Sequence, residues 1–381
     1  MTRSPSPVLE VVVTARPSWA RVQSLLYAYY KIVGPSRCRV CLVGPAVSKR
    51  YGDITSQMPN DISLKTFPTL RDSDDLSSIA LNSIDGSEAL ARHWKDFRPD
   101  CALVIADRTE TLGVSSTAAL MQIPLIHLQG GETSGSIDDK VRDANSKLAD
   151  FHLTTNSETR QYLLSIGERD ELIKVVGCPS IDLVKRVMEL NETWSIAEVN
   201  GVGAQILPGS EYGIILFHPD TLDEKLNEGW VDSLISVVTQ SDKMWFWFWP
   251  NPDFGTSMIS KKIRRARELH LLSNVQFVIN TKPEIFIKIA TQASIMVGNS
   301  SFGIRESSFI GLPVVNLGQR QRNRQRAENV TDIVSPSKVN LANAIRDFAG
   351  NRYPSSDLYG DGNAGMLAAR AIMAWEPRIK F

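Results

Sequence analysis

Short apolar runs alternate with longer stretches of helical periodicity along this whole chain, and no other feature constrains the fold as strongly. That alternation is the signature of parallel βαβ units. In the first half the strand candidates are residues 9–14, 40–43, 103–106, 125–128, 152–155 and 173–176. In the second half they are 213–217, 244–249, 275–279, 294–297 and 314–317. Most are apolar throughout, as expected of strands covered by helices on both faces. The run WFWFW at 245–249 is the extreme case; it reads as a buried strand, with an aromatic sugar platform as the alternative.

A chain of 381 residues is long for one core, so two domains are expected. We read an α/β protein with two Rossmann-like domains facing across a cleft. Residues 1–190 form the first domain, 191–212 a hinge, and 213–355 the second. Residues 356–381 supply a C-terminal helix packing back on the first. The hinge rests on Gly201, Gly203, Pro208 and Gly209 in a stretch without clear period.

Lys and Arg together number 42, as do Asp and Glu, so no global field favours nucleic acid or an anionic membrane. Any anion site must be local. No run approaches the ~18 apolar residues of a membrane span, and the opening apolar run lacks the features of a signal peptide. A cytoplasmic protein is expected. Cys38 and Cys41 form a C-x-x-C, but on a strand residues three apart face opposite ways and the two sulfurs would not meet. No second C-x-x-C completes a zinc site. Asp72, Asp74 and Asp75 imitate a metal motif, but in a polar loop without strand context. We expect neither a metal nor a cofactor.

Arg16, Asp107, Gln129, His218, Asn251 and Ser300 each follow the C-terminal end of an expected strand, the edge where open α/β sheets bind ligands. The loop HLQGGETSGSIDDKVRDANSK, residues 127–147, adds Glu132, Asp138 and Asp139 at such an edge. In VGNSSFGIRES, Ser300, Ser301 and Gly303 leave backbone N–H groups open where a helix begins, which suits a phosphate or diphosphate. An ordinary Asn/Ser cap is the alternative. Of the arginines that follow, Arg320 is nearest a strand end and best placed to reach a diphosphate, while others of Arg322, Arg324 and Arg326 face solvent. Glu306 can accept hydrogen bonds from a ribose or be a surface glutamate. The first turn, ARPSWAR, lacks G-x-G-x-x-G, which disfavours NAD or FAD. His127 reads as a satisfied polar group at a strand end, and His93 and His270 as helix-surface residues. Asp107 with Arg108 could be a local ion pair, and Asp138 with Asp139 could cap the next helix.

Seven strings in order resemble the UDP-N-acetylglucosamine 2-epimerase family, in its hydrolysing branch that serves sialic-acid-type sugars. They are ADRTE (106–110), GGE-x-x-G-x-IDD (130–139), VVGCPSID (175–182), FHP (217–219), WPNPD (249–253), GNSSFGIRE (298–306) and GQRQ-x-x-R-x-RAENV (318–330). The resemblance implies a GT-B-like fold, a UDP- or GDP-linked sugar as partner, and a homodimer. It implies Arg16, Asn251, Ser300, Ser301, Glu306 and Arg320 as nucleotide contacts, with Gly303 and the retained Arg142 beside them. Asp107, Asp138 and His218 fall in the active centre, where Glu132 and Gln129 join them as catalytic candidates. Many members carry a carboxylate where this chain has Gln129, which can hydrogen-bond but not take a proton. The common RHAITKLAH reads RDANSKLAD here, so two histidines become Asp143 and Asp150 while Arg142 and Lys147 stay.

Such residues suit loss of an anomeric diphosphate, removal of the C2 proton to give a glycal, and addition of water to yield the other epimer. A GT-B glycosyltransferase or a non-catalytic nucleotide-sugar binder are the rival readings.

Overall fold

The computed structural model describes residues 6–48, 54–71, 75–135, 137–220, 224–250, 255–279 and 281–380. These form two compact units, the first made of Met1–Thr133, Asp138–Leu183 and Gly360–Phe381, the second of Ser134–Ile137 and Val184–Tyr359.

The first unit holds strands β1 (Leu9–Val13), β2 (Cys38–Val43), β3 (Ser63–Phe67), β4 (Cys101–Ile105), β5 (Leu125–Leu128), β6 (Phe151–Thr154) and β7 (Ile173–Val175). They pair in the order β3-β2-β1-β4-β5-β6-β7, every ladder parallel. Helices α1 (Arg16–Val33), α2 (Leu76–Asp96), α3 (Thr109–Leu120), α4 (Asp138–Leu148) and α5 (Ser157–Ser165) lie in the crossovers, and α6 (Pro179–Leu190) follows β7. One face of the sheet buries Leu9, Val11 and Val13 with Leu25 and Tyr29 of α1. The other buries Val12 and Cys41 with Leu90 and Trp94 of α2 and Val114 of α3. Cys38 and Cys41 therefore sit in different core layers, both reduced.

The second unit holds β8 (Gly201–Gly203), β9 (Tyr212–Leu216), β10 (Met244–Phe248), β11 (Val275–Val278), β12 (Ile295–Gly298), β13 (Val314–Leu317) and β14 (Val330–Ile333). Their order is β14-β13-β12-β9-β10-β11-β8, parallel except for β8 at the edge. Helices α7 (Glu224–Thr239), α8 (Thr256–Glu268), α9 (Pro283–Gln292), α10 (Glu306–Ile310) and α11 (Lys338–Phe348) complete it. Along β10, Trp245 and Trp247 enter one core layer while Phe246 and Phe248 enter the other. The run Trp245–Phe248 is thus a strand buried on both faces, as its lack of polar residues suggests, with Trp249 just past its end. No helix among the described residues is long and apolar enough to cross a membrane.

Residues 191–212 depart from the expected hinge. Trp194, Val199, Ile206 and Tyr212 are buried in the second unit's core, and Gly201–Gly203 pairs with β11. Four apolar anchors outweigh the three glycines and one proline between them, and the division between units falls after Leu183, inside α6. The last helix, α12 (Ala364–Ala374), packs on α1 through Ala368, Ala369 and Ile372. A methyl group at Gly365 would stand 2.6 Å from the Ser24 carbonyl carbon, so only glycine allows this approach. Both Asp182 oxygens accept from the first turn of α12, at 2.9 Å from Ala364 N and 2.6 Å from Gly365 N. The string VVGCPSID therefore ends in a helix cap supplied from a distant part of the chain.

Candidate functional site

In each sheet the strand order reverses once, and ligands of open α/β sheets bind where it does, beyond the carboxyl ends of the strands. In the first sheet that point lies between β1 and β4. Arg16 opens α1 directly after β1, and burial lowers its pKa from the ordinary guanidinium value. Asp107 follows β4, past Ala106 in a left-handed conformation (φ 57°).

Arg142, on α4, organises this edge. Its side chain is fully buried, and Nη2 pairs with Asp107 Oδ2. Nη1 donates to Asp139 Oδ1 at 2.5 Å and to the Glu132 carbonyl at 2.6 Å. Burial alone would lower its pKa, but Asp107, Glu132, Asp139 and Asp138 overrule it and the net shift is upward. The second oxygen of Asp107 lies 4.0 Å from Arg21 Nη1 on α1. Arg108 pairs with Glu110 at 3.3 Å. Asp138 and Asp139 are the first two residues of α4, where acids suit the helix dipole.

The Gly130–Glu132 loop is held by its own packing. Gly131 has φ 81°, and a methyl group there would stand 2.3 Å from the Thr159 carbonyl oxygen. Glu132 is buried and accepts from Thr155 Oγ1 at 2.8 Å. Gln129 is buried with φ 65°, and its Nε2 donates to Cys178 Sγ at 2.8 Å. Its Oε1 is buried and meets no donor, so this amide keeps one acceptor in hand.

His127 lies under this loop, fully buried, with Nδ1 3.0 Å from Ser146 Oγ and Nε2 2.8 Å from the Ala106 carbonyl oxygen. It is the satisfied strand-end histidine the sequence suggested. Burial pushes its pKa down to about 3, whereas an unfolded imidazole titrates near ~6.5. Between those values the unfolded chain binds a proton that the folded chain refuses. The stability from this neutral ring is therefore full above pH ~6.5 and lost progressively on acidification. At pH 5, with the folded ring still neutral, the loss is about 2 kcal/mol. Urea midpoints at pH 7 and pH 5 should fall less in His127→Asn than in the parent; equal falls would mean that this ring is not the source.

In the second sheet the order reverses between β9 and β12, and a reciprocal pair bridges the gap. His218 N–H donates to Asn299 Oδ1 and Asn299 Nδ2 donates to the His218 carbonyl oxygen, both at 2.8 Å. Gly298 makes the approach possible: its φ is 151°, and a methyl group would stand 2.0 Å from the Leu216 carbonyl oxygen. The Asn299 carbonyl oxygen accepts from Gln321 Nε2 at 3.0 Å and Arg320 Nη1 at 3.4 Å. His218, Asn299, Ser300 and Arg320 are thus brought to one edge.

The turn after β12 differs from the expected helix N-terminus. Ser301–Gly303 is a single 3₁₀ turn, and the α-helix that follows is the five-residue α10. Ser300 Oγ accepts from Phe302 N–H at 3.3 Å, and the Gly303 N–H is spent on the Ser300 carbonyl at 3.0 Å. Gly303 offers no donor to a ligand; it lets the turn sit close to β13, where a methyl group would meet Val314 Cγ1 at 3.1 Å. Ser301 Oγ accepts from Arg305 Nη2 at 3.1 Å. Glu306 opens α10 and is buried, with Arg305 Nε 3.8 Å from its Oε2, rather than lying on the surface. Among the other arginines, Arg326 pairs with Asp332 on β14 at 3.1 Å, Arg324 is buried and Arg322 is exposed. Asn251, Asp72 and Asp74 lie outside the described residues, while Asp75 caps α2 through Ser78 N–H at 2.9 Å.

Asn299, Gln321, Arg21 and Cys178 were not singled out from the sequence. Only Asn299 carried a signal, a buried amide inside GNSS directly after a strand.

A model of the UDP-N-acetylglucosamine 2-epimerase family matches residues 35–373. This chain belongs to that family. A UDP-N-acetylglucosamine 2-epimerase of Neisseria meningitidis serogroup B is 29% identical over 277 residues, 72% of this chain and 70% of that one. A UDP-N,N'-diacetylbacillosamine 2-epimerase (hydrolyzing) of Legionella pneumophila is 30% identical over 264 residues, 69% of this chain and 68% of that one. Among solved structures, the Methanocaldococcus jannaschii UDP-GlcNAc 2-epimerase, in complex with UDP-GlcNAc and UDP, superposes with a TM-score of 0.78. It is 13% identical, with 95% of this chain and 98% of that one covered, which speaks to the fold alone. The epimerase-family resemblance of the seven strings and the GT-B-like pair of Rossmann units both stand.

Proposed function

We propose that this epimerase-family chain is a hydrolysing 2-epimerase. It converts a nucleotide-linked N-acetylglucosamine-type sugar to the free N-acetylmannosamine-type sugar and a nucleoside diphosphate. The observation that carries the reading is the cluster of Asp107, Glu132, Asp138 and Asp139 around the fully buried Arg142. The hydrolysing relative from Legionella supports it.

The C2 proton of an amino sugar is barely acidic because no carbonyl adjoins it. The C1–O bond therefore breaks with its electron pair leaving on the diphosphate, and a carboxylate takes the C2 proton, leaving a C1=C2 double bond. Water then returns a hydroxyl to C1 and a proton to the other face of C2. Asp107, Glu132 and Asp138 are assigned the proton transfers, with His218 as a further acid or base. Gln129 cannot exchange a proton; its unpartnered Oε1 accepts from a sugar hydroxyl or amide. Ser300, Ser301, Arg16 and Arg320 are assigned to the diphosphate, with Glu306 and Asn251 on the nucleoside, Gly303 shaping the turn and the buried Arg142 holding the carboxylates in place.

The test is proton NMR in deuterated water without acceptor, using UDP-N-acetylglucosamine, its GDP counterpart and UDP-N,N'-diacetylbacillosamine. Free sugar deuterated at C2, with released nucleoside diphosphate, is expected from at least one. An epimerised sugar still attached to its nucleotide would make the enzyme non-hydrolysing. Intact substrate in all three tubes would sink the reading and favour a transferase or a binder.

A further inference from the structure

At the opposite end of the first sheet from these residues, β1 begins Leu-Glu-Val-Val-Val and buries the Glu10 carboxylate completely. A charge in such a place costs several kcal/mol unless it is matched. Two donors converge on one oxygen, Trp94 Nε1 at 2.7 Å and Cys41 Sγ at 3.0 Å from Oε1, and His93 Nε2 lies 3.3 Å from the same atom. The other oxygen, Oε2, is buried and meets no donor. His93, read from sequence as a helix-surface residue, is in fact turned inward with its side chain 10% exposed. Its ring stacks on Phe97 at 5.5 Å and meets Phe67 at 5.6 Å, which fixes its plane.

The placement follows from the register. Val12 of β1 pairs with Cys41 of β2, so Glu10, two residues earlier, shares the Cys41 face of the sheet. Helix α2 covers that face with Trp94 and Leu90, and His93 reaches the same point. The ligating atoms of Glu10, Cys41 and His93 all lie within 4.8 Å of one another. Bonds of about 2.0–2.3 Å to zinc set neighbouring ligands of a tetrahedron roughly 3.5 Å apart. The spacings of 3.0 and 3.3 Å around Oε1 need to open by only a few tenths of an ångström.

We propose that Glu10, Cys41 and His93 form a structural site for a zinc-class divalent cation, tying β1, β2 and α2 together. A thiolate with an imidazole selects zinc over magnesium or calcium, which want oxygen alone. Binding forms the metal–sulfur bond as the Cys41 thiol proton passes to solvent, and Nε2 of His93 binds bare with its proton on Nδ1. Glu10 gives one oxygen to the ion while Trp94 N–H holds the carboxylate in place. Water or the second Glu10 oxygen completes four positions. The C-x-x-C reading missed the site because its partner for Cys41 is not Cys38 but a strand carboxylate and a distant helix.

The test uses the full chain stripped by chelator and titrated with cobalt(II), then with zinc. Saturation at one cobalt per chain is expected, with a thiolate-to-cobalt charge-transfer absorption that zinc displaces. The absorption should vanish in Cys41→Ser and in His93→Gln and persist in Cys38→Ser, whose sulfur lies in the other core layer. Zinc should also raise the unfolding temperature of the parent and not that of Cys41→Ser. A parent without the charge-transfer absorption, or an absorption that survives Cys41→Ser, would overturn the site; the parent measurement stands even if a variant fails to fold.

Discussion

Replacing Arg142 by methionine should cost the protein about 3–5 kcal/mol, the usual penalty for removing one partner of a buried ion pair. The guanidinium is fully buried and serves Asp107, Asp139 and the Glu132 carbonyl together. Methionine fills much of its volume but leaves two carboxylates and a carbonyl oxygen facing apolar atoms. Arg21, 4.0 Å from Asp107, offsets a part. Natural domains hold only about 5–15 kcal/mol in all, so such a loss is a large fraction of the total. Lysine should fall between, because an ammonium keeps the charge but lacks the planar fork whose two Nη atoms reach Asp107 on one side and Asp139 with the Glu132 carbonyl on the other. Urea unfolding measures both; a shift below about 1 kcal/mol in the methionine variant would show that Arg142 is not the keystone of this edge.

Asp107→Asn should be the complementary case, with the fold kept and turnover lost. The amide retains an acceptor for Arg142 but cannot take or give a proton. If Asp107 carries a proton transfer, kcat should drop roughly 10²–10⁴-fold, the usual contribution of one general acid or base. The urea midpoint should move far less than in Arg142→Met. A fall in affinity for the nucleotide sugar with kcat preserved would make Asp107 a binding residue and pass the chemistry to Glu132 or Asp138. Steady-state kinetics on the substrate that proves active separates these outcomes.

Legibility in the sequence follows burial closely. Central strands such as β5 and β13 coincide with their apolar runs because both faces are covered. The edge strands β3, β8 and β14 escaped notice for the converse reason. Ser63–Phe67 is exposed along most of its length, Gly201–Gly203 has little side chain to read, and Val330–Ile333 follows a run of arginines. At the site, residues directly after strands were readable because topology fixes where they go. Their partners were not: Arg21 reaches Asp107 from a helix, and Cys178 meets Gln129 across 49 positions of sequence. The 191–212 stretch shows the same limit, since composition reports glycine and proline but not that Trp194 reaches Tyr212 Oη at 3.0 Å.

The seating of α12 against α1 also sets a timetable. A chain emerges from the ribosome from its N-terminus, and domains tend to fold as they appear. Here the face of α1 that receives Ala368, Ala369 and Ile372 stays uncovered until residues 364–374 are made. By then the whole of Val184–Tyr359 has been synthesised and can fold. The unit begun first is therefore finished last, and during translation its open apolar seam is what a nascent-chain chaperone would meet.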